Sequence, residues 1–495
     1  MRMPDPDQQA LAKRAGIVEK LRAIVPGEAV IAEDVALRAY ESDGLSAYRG
    51  VPMAVVLPSS TEQVSRILRL CNDEAIKVVP RGAGTSLSGG ALPVEDGIVL
   101  GLGKFNRILE VDYENRCAVV QPGVTNLAIT KAVEHEGFYY APDPSSQIAC
   151  TIGGNVAENS GGVHCLKYGL TTNNLLGLEM VLPTGEILRV GGKHLDSEGY
   201  DLLGLMTGSE GLLGVVTEVT VRILQKPETA RALLIGFPSS EQGGDCVAGI
   251  IAEGIIPGGL EMMDGPAIKA AEAFCHAGYP LDVEALLICE LDGPAAEVDH
   301  LIGVVGAIAR QHGATSVKVS ESEEERARFW QGRKAAFPAV GRISPDYYCM
   351  DGTIPRKQLP LVLQRMREMS EHYGLGVCNV FHAGDGNLHP LIMFDANNPG
   401  ELERTEEFGA DILKLCVEVG GVLTGEHGVG VEKRDLMPVM FSEDDLAQQM
   451  RIKCAFDPGQ ILNPGKMFPQ LRRCAELGRM HVQGGKLPFP DLPRF

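Results

Sequence analysis

The sequence predicts an α+β fold made of two unlike halves, and three observations carry that expectation. Strand-like runs and amphipathic helices intermix after residue 52 without strict βαβ repetition. Two hairpins interrupt them, over residues 107–121 and 177–191, turning at Tyr113-Glu114-Asn115 and at Pro183-Thr184-Gly185. After Lys226-Pro227 the composition changes, and strands alternate with helices in the manner of a ferredoxin-like domain. A chain of 495 residues also exceeds what one hydrophobic core holds. The expected division is a helical segment over 1–47, a first domain over 48–227, a second over 228–424 and a C-terminal segment over 425–495.

Taken in order, residues 10–25 place Leu11, Ala15, Val18 and Leu21 on one helix face, and Pro26-Gly27 ends it. Ala54 to Leu57 is a strand. Ser59-Ser60-Thr61 then caps a helix whose apolar face is Val64, Ile67, Leu68 and Cys71, the i, i+3, i+4, i+7 spacing. Ile76 to Val79 is a short buried strand. In the second half, residues 232–237, 285–291 and 316–319 read as strands and 246–253 and 295–312 as helices. Val377 to Phe381 and Leu388 to Phe394 form a hairpin turning over residues 383–387. A last helix over 444–456 stops at Asp457-Pro458-Gly459, and the tail over 486–493 is Pro-rich and extended.

Composition excludes several classes. With 45 Lys+Arg against 65 Asp+Glu the net charge is −20, which argues against a nucleic-acid partner. The acidic N-terminus lacks the apolar core of a signal peptide. No apolar run reaches the ~18 residues of a membrane span. The 12 cysteines include no C-x-x-C, so zinc-ribbon and iron–sulfur spacings are missing and reduced cytosolic thiols are expected.

Three glycine-rich regions stand out. The first, Pro80-Arg81-Gly82-Ala83-Gly84-Thr85-Ser86-Leu87-Ser88-Gly89-Gly90, follows a strand. Its missing Cβ atoms let backbone N–H groups converge on an anion, and its hydroxyls add donors. Leu87 stands where a dinucleotide fingerprint needs its third glycine, and no Gly-Lys-Ser/Thr closes a P-loop. The second spans residues 142–162 and the third 207–217. Independent tight turns are the plain alternative. One long, phosphate-containing ligand laid through the domain explains all three together.

A separate constellation carries chemistry. His382 and His389 flank the hairpin turn Ala383-Gly384-Asp385-Gly386-Asn387, at facing strand ends where two imidazoles could share one metal. Glu426-His427 is exposed between Gly425 and Gly428. Two histidines and a glutamate with positions left open suit a catalytic divalent ion. Ordinary turn chemistry is the competing account, because Asp-Gly is a common hairpin dipeptide. Arg333 follows Phe329-Trp330, the only tryptophan. It suits bidentate capture of a carboxylate, or equally a surface cation–π contact.

Together these motifs resemble the flavoprotein family typified by vanillyl-alcohol oxidase and p-cresol methylhydroxylase, in its D-2-hydroxy-acid dehydrogenase branch. The likeness extends over nearly the whole chain, through residues 139–157, 161–169, 258–264, 341–355 and 380–390. It implies a two-part FAD-binding domain of the p-cresol methylhydroxylase type with a ferredoxin-like cap. In that family, Pro80, Arg81, Gly82, Ala83, Gly84, Thr85, Ser86 and Gly89 would wrap the FAD pyrophosphate. Pro144, Ser145, Thr151, Gly153, Gly154, Asn155, Asn159, Gly161, Gly162, Tyr168 and Gly169, with Glu210, Gly214 and Val215, would line the flavin. Asn463 lies in a segment returning to that domain.

Further implications concern the reaction. No histidine lies near Thr85 and Ser86, so FAD is expected to bind non-covalently. His382, His389 and Glu426 would hold zinc or manganese, Arg333 the substrate carboxylate, and His427 would act as general base. Relatives acting on dicarboxylic 2-hydroxy acids carry a lysine where Cys349 stands, which favours glycolate or D-lactate. Electrons would leave through an accessory flavin-type subunit and an iron–sulfur subunit at the inner membrane, for which the Pro-rich tail is a possible docking segment. A flavin-free metallohydrolase and a non-catalytic FAD-binding subunit are the rival readings.

Overall fold

The computed structural model describes residues 3–194 and 199–469, and the Pro-rich tail lies outside them. Four short strands form the first sheet: β1 (Val30–Ile31), β2 (Ala54–Val56), β3 (Lys77–Arg81) and β4 (Gly97–Gly101), in the order β1-β2-β4-β3. Strands β2, β4 and β3 run parallel, so the chain must cross over between them. The first crossover is α1 (Thr61–Glu74). Ser60 caps it by accepting from Gln63 N, and Val64, Ile67, Leu68 and Cys71 are buried against the sheet. The N-terminal segment does not stand apart. Val30 and Ile31 pair antiparallel with Val56 and Val55, and Ile17, Val18 and Leu21 fill the same core.

The second sheet contains β5 (Ile108–Asp112), β6 (Cys117–Val120), β7 (Leu175–Val181), β8 (Ile187–Gly191) and β9 (Val215–Arg222), ordered β5-β6-β9-β7-β8. Both expected hairpins form, and β9 inserts between them, antiparallel to β6 and β7. The chain returns late to the first sheet. Val78 N donates to Ile461 O at 2.8 Å, and Asn463 N donates to Val78 O at 2.8 Å.

The cap is a seven-stranded antiparallel sheet. Its strands are β10 (Thr229–Phe237), β11 (Gly259–Asp264), β12 (Ala285–Gly293), β13 (Ser316–Val319), β14 (Asp346–Cys349), β15 (Val377–His382) and β16 (Asn387–Phe394). The order is β13-β10-β12-β11-β15-β16-β14. Its first four strands, with helices α2 (Ser240–Ala252) and α3 (Ala295–Gln311), reproduce the 4-1-3-2 order of the ferredoxin-like βαββαβ unit. The later three strands extend the β11 edge. Successive residues of these strands enter different cores: Leu233, Ile235 and Leu287 on one face, Leu234, Ile288 and Leu286 on the other. Helix α4 (Glu323–Lys334) covers the second face with Phe329 and Trp330.

Candidate active site

The hairpin β15–β16 places the two histidines. Val380 pairs with His389 and His382 with Asn387, so His382 and His389 are diagonal neighbours on one face of the sheet. Their rings meet edge to face, with centroids 5.0 Å apart and planes at 85°. Glu426 Oε1 lies 3.2 Å from His382 Nε2 and 2.9 Å from His389 Nε2. On the far side of each ring stands an acceptor. Glu261 Oε1 is 2.8 Å from His382 Nδ1, and Met350 O is 3.4 Å from His389 Nδ1.

Those acceptors orient the two rings. With Nδ1 facing them, each ring turns Nε2 toward the Glu426 carboxylate, where a second proton or a cation can sit. Burial opposes the charged form of His382, but Glu261 and Glu426 hold its pKa well above the ordinary value. Three acceptors converging without a positive charge among them repel one another. Protons or a cation must sit there. A tetrahedral zinc holds its ligand atoms about 3.3 Å apart, close to the 2.9 and 3.2 Å separations found here. The donor set therefore fits a divalent ion. A second cluster, Cys349, His389 and His427, is also close enough. However, the His389 and His427 rings are stacked at 6°, so their in-plane lone pairs run parallel and cannot converge on one ion.

Asp351 holds the loop that carries Glu426 and His427. Its Oδ2 accepts from the backbone N–H of Gly425 at 3.0 Å, Glu426 at 3.2 Å and His427 at 2.9 Å, and from Lys433 Nζ at 3.2 Å. Such a nest stabilises the anion. Burial opposes its charge, but the buried Lys433 ammonium holds Asp351 below the usual carboxylate range. His427 Nδ1 is buried without a partner. Burial pushes its pKa down to about 4, so the ring is neutral at physiological pH and free to accept a proton.

These side chains open into the large cleft between the sheets. Three sides of it are the loops around Pro80, Arg81, Gly82, Ala83, Gly84, Thr85 and Ser86, around Pro144, Ser145, Thr151, Gly153, Gly154 and Asn155, and around Glu210, Gly214 and Val215. Asn463 completes the wall, and His382, His389, Glu426 and His427 form one end. Gly84 takes φ +73°, where a side chain would also overlap the Arg81 guanidinium.

Seven expected contact residues do not line the cleft, and each has a local task instead. Gly89 packs against Val431 at φ +78°. Asn159 Oδ1 accepts from Thr172 N at 2.9 Å. Gly161 N donates to Glu426 Oε2 at 2.9 Å. Gly162 clears the Asp143 backbone, Gly169 clears Asn173, and Tyr168 hydrogen-bonds to Asp292. Arg333 is neither at the surface nor in the cleft wall. It is 1% exposed, donates from Nε to Glu261 Oε2 at 2.8 Å, and keeps Nη2 2.7 Å from the same oxygen but misaligned for a hydrogen bond.

Comparison with known proteins agrees with this arrangement. Residues 52–191 match the family described as FAD binding domain, and residues 226–467 match FAD linked oxidases, C-terminal domain. The chain is 58% identical to glycolate oxidase subunit GlcD of Escherichia coli K12 over 493 residues, covering 100% of this chain and 98% of that one. This chain belongs to the FAD-linked oxidases. Likeness to GlcD of Bacillus subtilis is 42%, covering 87% and 92%. D-lactate dehydrogenase of Archaeoglobus fulgidus is 36% identical, covering 84% and 91%. In fold it resembles p-cresol methylhydroxylase, with TM-score 0.78 at 18% identity, covering 94% and 98%. The chain is thus an FAD-linked oxidoreductase of α+β architecture, a two-part FAD-binding domain with a ferredoxin-like cap.

Two groups in this FAD-linked oxidase were invisible to motif reading. Glu261 is 1% exposed and joins His382 to Arg333. Burial opposes its charge, but His382 and Arg333 hold its carboxyl below the usual range. Asp351 is wholly buried beneath the Glu426 loop. Both lie in stretches that support the family resemblance, which is the one signal that marks them. No helix among the described residues is long and apolar enough to cross a membrane.

Proposed function

We propose that this chain is the catalytic, FAD-carrying subunit of a glycolate oxidase, converting glycolate, and also D-lactate, to the 2-oxo acid. The observation that carries the reading is the meeting of His382 and His389, Glu426 and the neutral His427 at one end of the flavin cleft. His382, His389 and Glu426 would hold a divalent ion, zinc or manganese. When bound, the ion polarises the substrate 2-hydroxyl and FAD accepts the C2 hydride. His427 takes the hydroxyl proton at its free ring nitrogen. Arg333, behind the cleft wall and committed to Glu261, would act on the substrate only through Glu261 and His382.

Substrate size follows from charge. Cys349 is 8% exposed beside His389 and His427, and among the described residues the only Lys or Arg on the cleft wall is Arg81, at the glycine loop. A second carboxylate would find no partner at the cap end, so 2-hydroxyglutarate is disfavoured. FAD is held non-covalently, since Thr85 and Ser86 offer no imidazole. The word subunit in the relatives' names supports partner chains, which we assign as an accessory flavin-type subunit and an iron–sulfur subunit at the inner membrane.

Anaerobic addition of glycolate, D-lactate and D-2-hydroxyglutarate to the yellow protein tests this reading. Glycolate should bleach the flavin fastest and 2-hydroxyglutarate slowest, a chelator should abolish bleaching, and His427→Ala should lose it by several orders of magnitude. Fastest bleaching by D-lactate would favour a D-lactate dehydrogenase acting alone. Flavin-free protein would reject the proposal.

A further inference from the structure

Glu158 is a buried carboxyl that the reaction just described does not use. It ends the short helix Ile152–Glu158, whose first turn belongs to the second glycine region, and it lines the flavin cleft. Its Oε2 is inaccessible and has no hydrogen-bond partner. Its Oε1 lies 2.5 Å from where a Cβ on Gly90 would stand, and Oε2 overlaps the place of a Cβ on Gly428. The carboxyl is therefore wedged between the first glycine loop and the residue next to His427.

Glu210 presses on the same glycine, its Cδ 3.1 Å from a Gly428 Cβ. Glu210 is satisfied: it accepts from Val429 N at 2.6 Å and Gly430 N at 2.7 Å. The nearby cations are committed elsewhere. Lys433 Nζ donates to Gly428 O at 2.9 Å and to Asp351 Oδ2 at 3.2 Å. Lys466 Nζ donates to Leu92 O at 2.7 Å and to Asn463. Asp43, the remaining charged neighbour, accepts from Leu45 N at 3.0 Å and Ala91 N at 3.1 Å. Two buried carboxyls flanking one glycine resist ionising together, and the one without donors takes the proton.

We propose that Glu158 is a neutral carboxylic acid that donates a hydrogen bond to the isoalloxazine of bound FAD, at the edge facing His427, and thereby raises the flavin reduction potential. Burial and then Glu210 push its pKa well above the usual carboxylate value, in keeping with that state. The inference rests on FAD occupying this cleft with its ring toward His427. A donor there stabilises the negative charge that the ring gains on reduction.

The test measures the flavin midpoint potential of the FAD-loaded full chain by dye equilibration without substrate, so a wrong substrate assignment cannot affect it. Flavin content of the wild-type protein checks the cofactor separately. Glu158→Leu should lower the potential and shift the visible absorption band. Glu158→Gln, which keeps a donor, should stay close to wild type. A Glu158→Leu protein with unchanged potential but about tenfold weaker FAD binding, roughly one hydrogen bond, would place the contact on the ribityl or phosphate groups and overturn the proposal. A raised potential in Glu158→Gln would overturn it too, because it would mean the native carboxyl is anionic. If Glu158→Leu retains no FAD, the sign of the Glu158→Gln shift and the potential of Glu158→Ala decide the matter.

Discussion

Replacing Glu261 by Gln separates the support of the metal ligands from the stability of the cap. The native carboxylate serves two donors, His382 Nδ1 at 2.8 Å and Arg333 Nε at 2.8 Å, with both side chains nearly inaccessible. Glutamine fills the same volume, but one of its two ends becomes an amine facing an N–H. It also leaves the Arg333 guanidinium, 1% exposed, without a counter-charge. Orphaning one member of a buried ion pair costs about 3–5 kcal/mol. Loss of the outer partner of a ligating histidine weakens metal binding about 10–100-fold. Urea unfolding read on the cap transition gives the first quantity, and competition with a chelator gives the second. Adding Arg333→Met should recover most of the stability, because it removes the orphaned cation, but none of the metal affinity. Glu261→Gln with wild-type stability and metal affinity would refute the reasoning. So would a double variant that regains the metal, because the loss would then be a side effect of a loosened fold.

Other expectations follow from the same geometry. Gly161→Ala places a Cβ 2.7 Å from Glu426 Oε2 and 2.7 Å from Leu170 Cδ2; overpacking of this kind costs about 1–3 kcal/mol, and metal titration should show weaker binding with FAD content unchanged. Asp351→Asn leaves buried Lys433 with Glu432, 3.5 Å away, as its remaining carboxylate and halves the acceptors for the N–H groups of residues 425–427, so up to about 3–5 kcal/mol of stability and glycolate-dependent bleaching should be lost together. Glu290 accepts from Arg326 Nη1 within the cap at 2.6 Å and links the cap to the FAD domain through His164 Nε2 at 3.2 Å. Burial opposes its charge, but His164 and Arg326 hold its pKa down to about 2. A depressed carboxylate stabilises above its unfolded value near ~4.5 and loses that contribution as pH falls toward about 2. Glu290→Gln should therefore be less stable at pH ~7 by up to about 3 kcal/mol and show a shallower loss of stability on acidification, measured by urea midpoints across that range. His164, held well above its ordinary value by Asp143 and Glu290 against burial, contributes below pH ~6.5 and loses its share as pH rises through the raised value.

Local signals made part of this legible in sequence. Helix α1 was readable because Ser60 and four apolar residues at helical spacing specify it without help from elsewhere. The histidine pair was readable because period-2 alternation around Asp385-Gly386 fixes which residues face one another. Strand β9 between the two hairpins, and Val30–Ile31 on the edge of the first sheet, were not, because pairings between distant segments leave no local mark. Arg333 shows the cost of local reading most plainly. Its neighbour Trp330 suggested an aromatic platform, yet the indole N–H reaches Glu290 and the guanidinium reaches Glu261. The two positions are one helical turn apart, so both side chains point at carboxylates on strands β12 and β11. Glu261 is 72 residues from Arg333 and 121 from His382, and no motif spans that distance.

Burial alone does not mark the chemistry in this molecule; the distribution of partners does. At the cap end, Glu261 is committed to Arg333 and His382, and Asp351 to Lys433 and three backbone N–H groups. Glu426 alone turns an oxygen toward two imidazole Nε2 atoms. At the flavin end, Glu210 is committed to two N–H groups, while Glu158 keeps an oxygen without a donor. An unpartnered buried polar group costs about 1–3 kcal/mol, and Glu158 and His427 bring two such groups to the cleft. At each end of the cleft, satisfied carboxylates shape the backbone and one carboxyl turns an oxygen toward the ligand. Asp351 holds the loop that carries Glu426, and Glu261 holds the ring of His382, which is why substitutions at these two positions should disturb the site as strongly as substitutions in the ligands themselves.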